Sequence, residues 1–473
     1  MSAHPAGPRH GDPIPAHGAP LRPERVADVY DLDPRIWPAN LSRNADGALQ
    51  LAGVDVRDAI AEGLSPLFLL DEDHTRQSAR HYAGAYEQAA AGTDVYYAGK
   101  AFLATTVARW LVEEGLRIDV CTMGELEIAL RAGVDPELIL FHGNNKSLAE
   151  IERALDVGVG RFVIDSMQEL ARVAMLASDR DVVANVLVRV TVGVEAHTHE
   201  FIATAHEDQK FGLAMADGTA LEAARRAHDL PSLNLLGLHS HIGSQIFDPA
   251  GFEVAARRLV ALVQQLAELA DGAVPIPELN LGGGMGIAYT NDDTPLDVAE
   301  MAQAIAQTVG RACSEAGISQ PRLAVEPGRA IIGAAGITLY TVGTTKRVAL
   351  DSGHRTYVSV DGGMSDNIRT ALYDASYTVT LANRVSDADL MLVRIVGKHC
   401  ESGDIVVRDA WLPQDLCPGD LLAVAGTGAY CRSMASNYNQ LPRPAVLSAQ
   451  SKQLRTILRR ETLDDLLSLD PGA

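Results

Sequence analysis

The sequence predicts a parallel (β/α)8 barrel followed by a β-rich domain, and three observations carry that expectation. Eight short apolar runs, each ending in small or polar residues and mostly followed by a helical segment, recur over about 240 residues. Several of these runs are continuously apolar and not alternating, as strands buried on both faces are. From Gly336 onward helix signals nearly vanish and strand-like segments follow one another between Gly, Asp, Pro or Ser. The implied organisation is a leader over 1–23, early strands within 24–70 that join the β domain, a TIM-like barrel over 71–335, and a C-terminal β-sandwich or barrel over 336–473 with a terminal helix.

At 473 residues, 47% hydrophobic and 21% charged, the chain is long enough for two domains with cores of their own. A net charge of −21 argues against nucleic acid or an anionic membrane as partner, since phosphate contacts need clustered Lys and Arg. No apolar run approaches the roughly 18 to 20 residues that a membrane span needs. Five cysteines, at 121, 313, 400, 417 and 431, form no CxxC pair, so the expectation is a reducing cytoplasm with no disulfide framework and no structural zinc. The leader holds six prolines and no apolar h-region, which reads as disorder and not as a signal peptide.

Taken in order, Ala48 to Ala52 and Pro66 to Leu70 read as short strands, and Asp71 to Ala91 as a helix with acidic residues in its first turn and Gly92 as its stop. The eight runs end at Lys100 (DVYYAGK), Thr122 (RIDVCT), Asn144 (LILFHGN), Ser166 (RFVIDS), Val190 (NVLVRV), His241 (LLGLHSH), Gly284 (ELNLGGG) and Gly328 (RLAVEPG). Between the fifth and sixth lies a polar, His-rich insert, GVEAHTHEFIATAHEDQKFG, where a barrel would carry an active-site loop. The β domain is expected in GITLYTVGTTKRVAL, TYVSVDGG, YTVTLANRV, LMLVRIVG, DIVVRDAWLP and DLLAVAGTGAYC, and LRTILRRETLDDLLSL in the tail reads as an amphipathic helix.

Barrels of this kind gather functional groups at the C-terminal ends of their strands. Those ends supply Lys100, Asp119, His142, Asp165, Arg189, His239, His241, the glycines 282 to 284, and Glu326 with Arg329. Alternation puts Tyr96, Ala98 and Lys100 on one face, which predicts a partly desolvated lysine able to form a Schiff base with a carbonyl cofactor. Gly282, Gly283 and Gly284 let backbone N–H groups approach a phosphate, and Ser244 in HIGSQ adds a hydroxyl. Lysine, phosphate cradle and a carboxylate on the eighth strand together fit pyridoxal 5′-phosphate, with Glu326 at the pyridine nitrogen and His241 stacked on the ring.

YAGK, HSHIGSQ, GGG and EPGR, followed by CESGD at 400 to 404, resemble the fold-type III pyridoxal 5′-phosphate decarboxylases, and within them the diaminopimelate decarboxylases. The resemblance runs from about residue 50 to 450. It implies an alanine-racemase-like barrel plus a β domain, and the removal of one carboxylate from meso-2,6-diaminopimelate to give L-lysine and CO2. It implies further that Cys400 protonates the carbon CO2 has left and that Glu401 binds the distal end of the substrate, both reaching across a homodimer interface. By the same resemblance Pro327, Gly328 and Arg329 lie along the cofactor, Arg329, Arg369 and Tyr373 bind substrate, and Tyr430 touches both. Without the resemblance Cys400 would read as a half-buried thiol and Tyr430 as a core aromatic.

Other readings are weaker on the residues. Alanine racemases place an arginine where this chain has Glu326, and ornithine and arginine decarboxylases follow their cysteine with aspartate where this chain has Glu401. A barrel metal hydrolase would use the HxH pairs His197 with His199 and His239 with His241, but such enzymes put HxH on the first strand, which here ends in Lys100, so no metal is expected. Intact Lys100, His241, Glu326, Cys400 and Glu401 argue against a non-catalytic relative.

Overall fold

The computed structural model describes residues 20–193, 210–269, 276–350 and 353–472. They form two units, one from the described residues of 1–75 with Ile287–Asp293 and Ile332–Ala473, the other from Arg76–Gly286 with Thr294–Ile331. The leader up to residue 19 and the histidines 197 and 199 of the insert lie outside the described residues.

In the second unit eight parallel strands close into a barrel: Asp94–Ala98, Arg117–Val120, Ile139–Phe141, Arg161–Ile164, Ala184–Thr191, Leu233–His239, Glu278–Asn280 and Arg322–Val325. The eighth closes on the first, with Ala324 opposite Asp94 and Val325 opposite Val95. All eight overlap the runs read from the sequence, the fifth and sixth extending beyond theirs, and a two-residue strand, Leu213–Ala214, pairs beside the fifth. Tyr96, Leu140, Val163, Leu187 and Ala324 point inward as a buried cluster. Polar residues just past the strands both end them and start the outer helices. Thr122, Ser147 and Ser166 accept from the backbone N–H of Glu125, Glu150 and Glu169, caps worth about 1 kcal/mol each.

The two ends of the barrel differ in chemistry. At the N-terminal starts of the strands, Asp94 pairs with Arg117 at 2.7 Å, and buried Glu278 pairs with Arg161 at 3.0 Å and Arg322 at 2.6 Å. The guanidinium groups of Arg117 and Arg161 also lie 5.8 and 5.9 Å from the ring centre of Tyr96. This charged floor closes one end with interactions internal to the barrel. The other end, where the strands finish, is left to present functional groups.

The first unit holds a three-stranded antiparallel sheet, Leu41–Arg43, Leu49–Leu51 and Val54–Asp55, and a larger sheet. The larger runs in order Ile405–Pro413, Leu390–Val396, Gly353–Val360, Gly336–Leu350, Leu67–Asp71, Ala445–Gln450 and Gln453–Leu458. Leu421–Ala425 pairs with Gly336–Leu350 and carries Val379–Leu381 on its other side. Leu49, Leu51, Leu67, Leu69, Ile337, Leu339, Ala423 and Leu447 share one buried core.

Both early strands lie in the β unit, Leu67–Asp71 within the larger sheet and Leu49–Leu51 packing its leucines into the common core; other expectations differ from the structure. The tail is not a long helix. Ala445–Gln450 and Gln453–Leu458 pair as a hairpin across Ser451 and Lys452, both at positive φ, and the helix is confined to Leu463–Leu467. Thr456 and Ile457 are β-branched, and Leu454 to Thr456 pair residue for residue with the neighbouring strand where a helix would have had to nucleate alone. The chain passes into the β unit at Ile332, four residues before the predicted change at 336, and Ile287–Asp293 also belongs to that unit.

Candidate active site

The first barrel strand stops at Ala98, and Gly99–Ala101 makes a single 3-10 turn that carries Lys100. A Cβ at Gly99 would lie 2.7 Å from the carbonyl oxygen of Asp119, so glycine is what lets the turn sit this close to the second strand. Lys100 on that turn is an exposed residue where a partly desolvated lysine was expected, and its charge still acts on the buried Asp119 and His241.

Glu326, at the end of the eighth strand, is buried and fully engaged. His142 Nε2 donates to Oε1 at 2.9 Å, His239 Nε2 lies 3.3 Å from Oε2, and Asn280 Nδ2 donates to Oε1 at 2.8 Å. Burial alone would push this carboxyl up. The two imidazoles outweigh burial and hold it well below the usual carboxylate range. An ionised carboxylate only accepts, so both rings present their Nε2 proton to it. Burial pushes Asp119, 3.9 Å from His142, up to about 6. His142, His239 and Glu326 offer ligand atoms within 4.8 Å of one another, yet those atoms are committed to each other by hydrogen bonds.

The loops beyond the sixth, seventh and eighth strands are woven together. Asn280 Oδ1 accepts from the Gly282 amide at 2.9 Å, Gly282 O accepts from the Glu326 amide at 2.9 Å, and Gly284 O accepts from the Ile246 amide at 2.9 Å. A Cβ on Gly283 would stand 2.1 Å from Glu326 O, and one on Gly284, at φ +120°, 2.5 Å from Gly243 O. The glycines are therefore demanded first by close backbone packing. Among the described residues the Gly283 and Gly284 amides have no hydrogen-bond partner, which suits an anion. Arg329 Nη2 donates to Ser244 Oγ at 2.8 Å, and Gly328 packs on Ala98 and Ala101, next to the Lys100 turn. Pro327 O accepts from the Ala98 amide at 3.2 Å. Burial, then the Lys100 and Arg189 charges, hold His241 well below its ordinary value, leaving a neutral ring suited to stacking.

The barrel rim thus brings together Lys100, His241, Ser244, Gly282 to Gly284, Glu326, Pro327, Gly328 and Arg329. An amine, a fixed carboxylate and unpaired amides are the donor set that pyridoxal 5′-phosphate requires. Asn280, which links carboxylate to glycine turn, was missed by the sequence reading. Its signal was there: it shares inward parity with Glu278 at the end of a buried strand.

The remaining expected residues lie in the first unit. Arg369 is buried at the start of the helix Arg369–Tyr373, while Tyr373 is 61% exposed. Cys400 and Glu401 are exposed, and Tyr438 donates to Glu401 Oε1 at 2.5 Å. His399, beside Cys400, is held by Asn439 at 2.9 Å and Ser365 at 2.8 Å. Tyr430 is half-buried at φ +59°.

Residues 76–333 match the family model for the pyridoxal binding domain of pyridoxal-dependent decarboxylases. Over 473 residues, 99% of this chain and 100% of the relative, it is 52% identical to diaminopimelate decarboxylase of Mycobacterium leprae. The chain belongs to the diaminopimelate decarboxylase family. It is also 43% identical to the Bacillus subtilis enzyme over 429 residues, 90% of this chain and 96% of the relative. The crystal structure of the M. jannaschii diaminopimelate decarboxylase in complex with L-lysine superposes with a TM-score of 0.84 at 32% identity, covering 91% of this chain and 98% of that one. As a member of this family the chain is a pyridoxal-dependent decarboxylase. No helix among the described residues is long and apolar enough to cross a membrane.

Proposed function

We propose that the chain removes one carboxylate from meso-2,6-diaminopimelate, yielding L-lysine and CO2, with its site at the C-terminal rim of the barrel. The observation that carries the chemistry is Glu326, a buried carboxylate kept ionised by His142 and His239 and oriented by Asn280. When bound there, pyridoxal 5′-phosphate supplies an electron sink for the bond to the departing carboxylate. Lys100 would hold the cofactor through its amine. Gly283 and Gly284 offer their amides, and Ser244 its hydroxyl, to the phosphate. Glu326 Oε1 or Oε2 keeps a proton on the ring nitrogen, and His241 covers the ring as a neutral imidazole.

Cys400 Sγ delivers the proton to the carbon that CO2 has left. Glu401, Arg329, Arg369 and Tyr373 orient the substrate so that one of its two amino-acid heads reacts, and Tyr430 contacts both substrate and cofactor. A homodimer in which Cys400 and Glu401 serve the partner's barrel is supported by the exposure of both residues, and of Leu372 at 56% and Tyr373 at 61% on the same unit. The test is a visible spectrum of the purified protein, then meso-diaminopimelate in the same cuvette with lysine and CO2 quantified. A cofactor band with stoichiometric lysine is expected. A band without lysine would reject the substrate, and no band after adding cofactor would reject the site.

A further inference from the structure

Arg369 is 7% exposed, and its Nη1 donates to two phenol oxygens, Tyr377 at 2.6 Å and Tyr289 at 3.0 Å. Its guanidinium carbon lies 5.0 Å from the Tyr289 ring centre and 5.7 Å from that of Tyr377, and the two rings meet edge to face at 5.3 Å. Among the described residues no carboxylate stands within ion-pair distance of this guanidinium. Taking an arginine out of water without an anion is costly, and two neutral hydroxyls repay little of that cost. A buried cation of this kind is poised for a carboxylate that arrives from outside.

Tyr377 does a second thing. Its oxygen accepts from Arg369, so its own proton is free for Cys431 Sγ, 3.6 Å away. Cys431 directly follows Tyr430, whose φ of +59° is a conformation that non-glycine residues seldom hold without support. Burial pushes the Tyr377 phenol well above its ordinary value, so it stays a neutral hydroxyl throughout the working range. Tyr289 is braced in turn: Thr378 Oγ1 donates to its carbonyl at 2.8 Å, and its ring fills the space where a Cβ on Gly426 would lie 2.9 Å away.

We propose that Tyr377 is a positioning residue of the substrate site, fixing the Arg369 guanidinium and the turn that carries Tyr430 in one arrangement, with Tyr289 completing the clamp on Arg369. This rests on Arg369 binding a substrate carboxylate. Because Nη1 takes both hydroxyls, Nη2 and Nε remain for that carboxylate. The clamp is built for the binding of a retained charge, so its loss should act on KM and spare the bond-breaking step.

The experiment compares Tyr377→Phe, Tyr289→Phe and Arg369→Ala holoenzymes with the natural protein on meso-diaminopimelate, with the cofactor band and Tm recorded for each. Phenylalanine keeps both rings and removes only the hydroxyls. The expected result for Tyr377→Phe is a KM raised roughly tenfold, kcat within about twofold, and an intact cofactor band, as for loss of one hydrogen bond to a charged group. Added to Arg369→Ala, the same change should cost little more, since it acts through that arginine. A KM within about twofold of the natural enzyme, or a fall in Tm or kcat alone, would overturn the proposal while a high KM in Arg369→Ala left that residue's role standing. An unchanged KM in Arg369→Ala would remove the premise and the proposal together. Should Tyr377→Phe fail to fold, Tyr289→Phe decides by the same criteria.

Discussion

Two carboxylates at the barrel rim, Glu326 and Asp119, are both buried and yet are driven in opposite directions. Glu326 has two imidazoles and an amide on its oxygens, so its charge is matched; Asp119 has His142 only at 3.9 Å and burial wins. Replacing Glu326 by Gln keeps the shape and removes the charge, and kcat should fall by roughly a hundredfold or more while the cofactor band persists. Steady-state decarboxylation with the spectrum recorded alongside checks it; a kcat within about threefold of the natural enzyme would deny the carboxylate its role. Asp119 makes a prediction in pH. Its folded value, about 6, lies above the ordinary carboxylate value near 4, so the folded state binds the proton more tightly. Ionised Asp119 therefore costs stability above about pH 6, and that cost is relieved as pH falls from about 6 toward 4. Asp119→Asn should raise stability at pH 8, on the order of 2 kcal/mol, and lose most of that advantage only by pH 4. Urea unfolding at the two pH values measures it, and a gain that is the same at both would contradict the shift.

Between the third and fourth barrel strands a single buried lysine acts as a staple. Lys146 Nζ donates to Gly143 O at 2.9 Å, Val163 O at 2.7 Å and Glu169 Oε1 at 2.5 Å, while Glu169 Oε2 accepts from the Asp165 amide at 2.7 Å. Lys146→Met should cost about 3 to 5 kcal/mol in urea unfolding, because it strands a buried carboxylate. Adding Glu169→Leu should recover much of that loss, since an apolar pair needs no compensation. A double variant as unstable as the single one would show that the carbonyl contacts matter most. This staple also marks what the sequence could tell. The eight strands were legible because each is an apolar run closed by polar residues that cap the next helix, a signal held within a few residues. The places of Lys100, Glu326 and the glycines at strand ends were legible because each apolar run shows where its strand finishes. Asn280 escaped notice because its role lies in a partner 46 residues away, and Lys146 because nothing local distinguishes a buried lysine from a solvated one. The tail hairpin was misread because its alternation becomes decisive only when a neighbouring strand is there to pair with it.

The proposed reaction needs a proton donor at the carbon that CO2 leaves, and of the five thiols Cys121 and Cys400 make an instructive contrast in surroundings. Cys121 stands at the end of the second barrel strand, where burial and the charges of Asp119 and Glu125 push its thiol up, making it a reluctant donor. Cys400 is exposed on a loop of the other unit, with His399 and Glu401 as chain neighbours. An exposed catalytic thiol is an incomplete site, and a second copy of the chain is the natural way to complete it. If each site takes Lys100 from one copy and Cys400 from its partner, two dead variants should rescue each other. Lys100→Ala and Cys400→Ala should each be nearly inactive alone. Co-expressed in equal amounts they should regain about a quarter of the natural activity, because half the dimers are mixed and each mixed dimer holds one intact site. Cys121→Ala should stay active throughout. Mixed dimers purified on two different tags and still inactive would mean that each barrel uses its own chain's Cys400, and the exposed surface around Tyr373 would then have to serve some other contact.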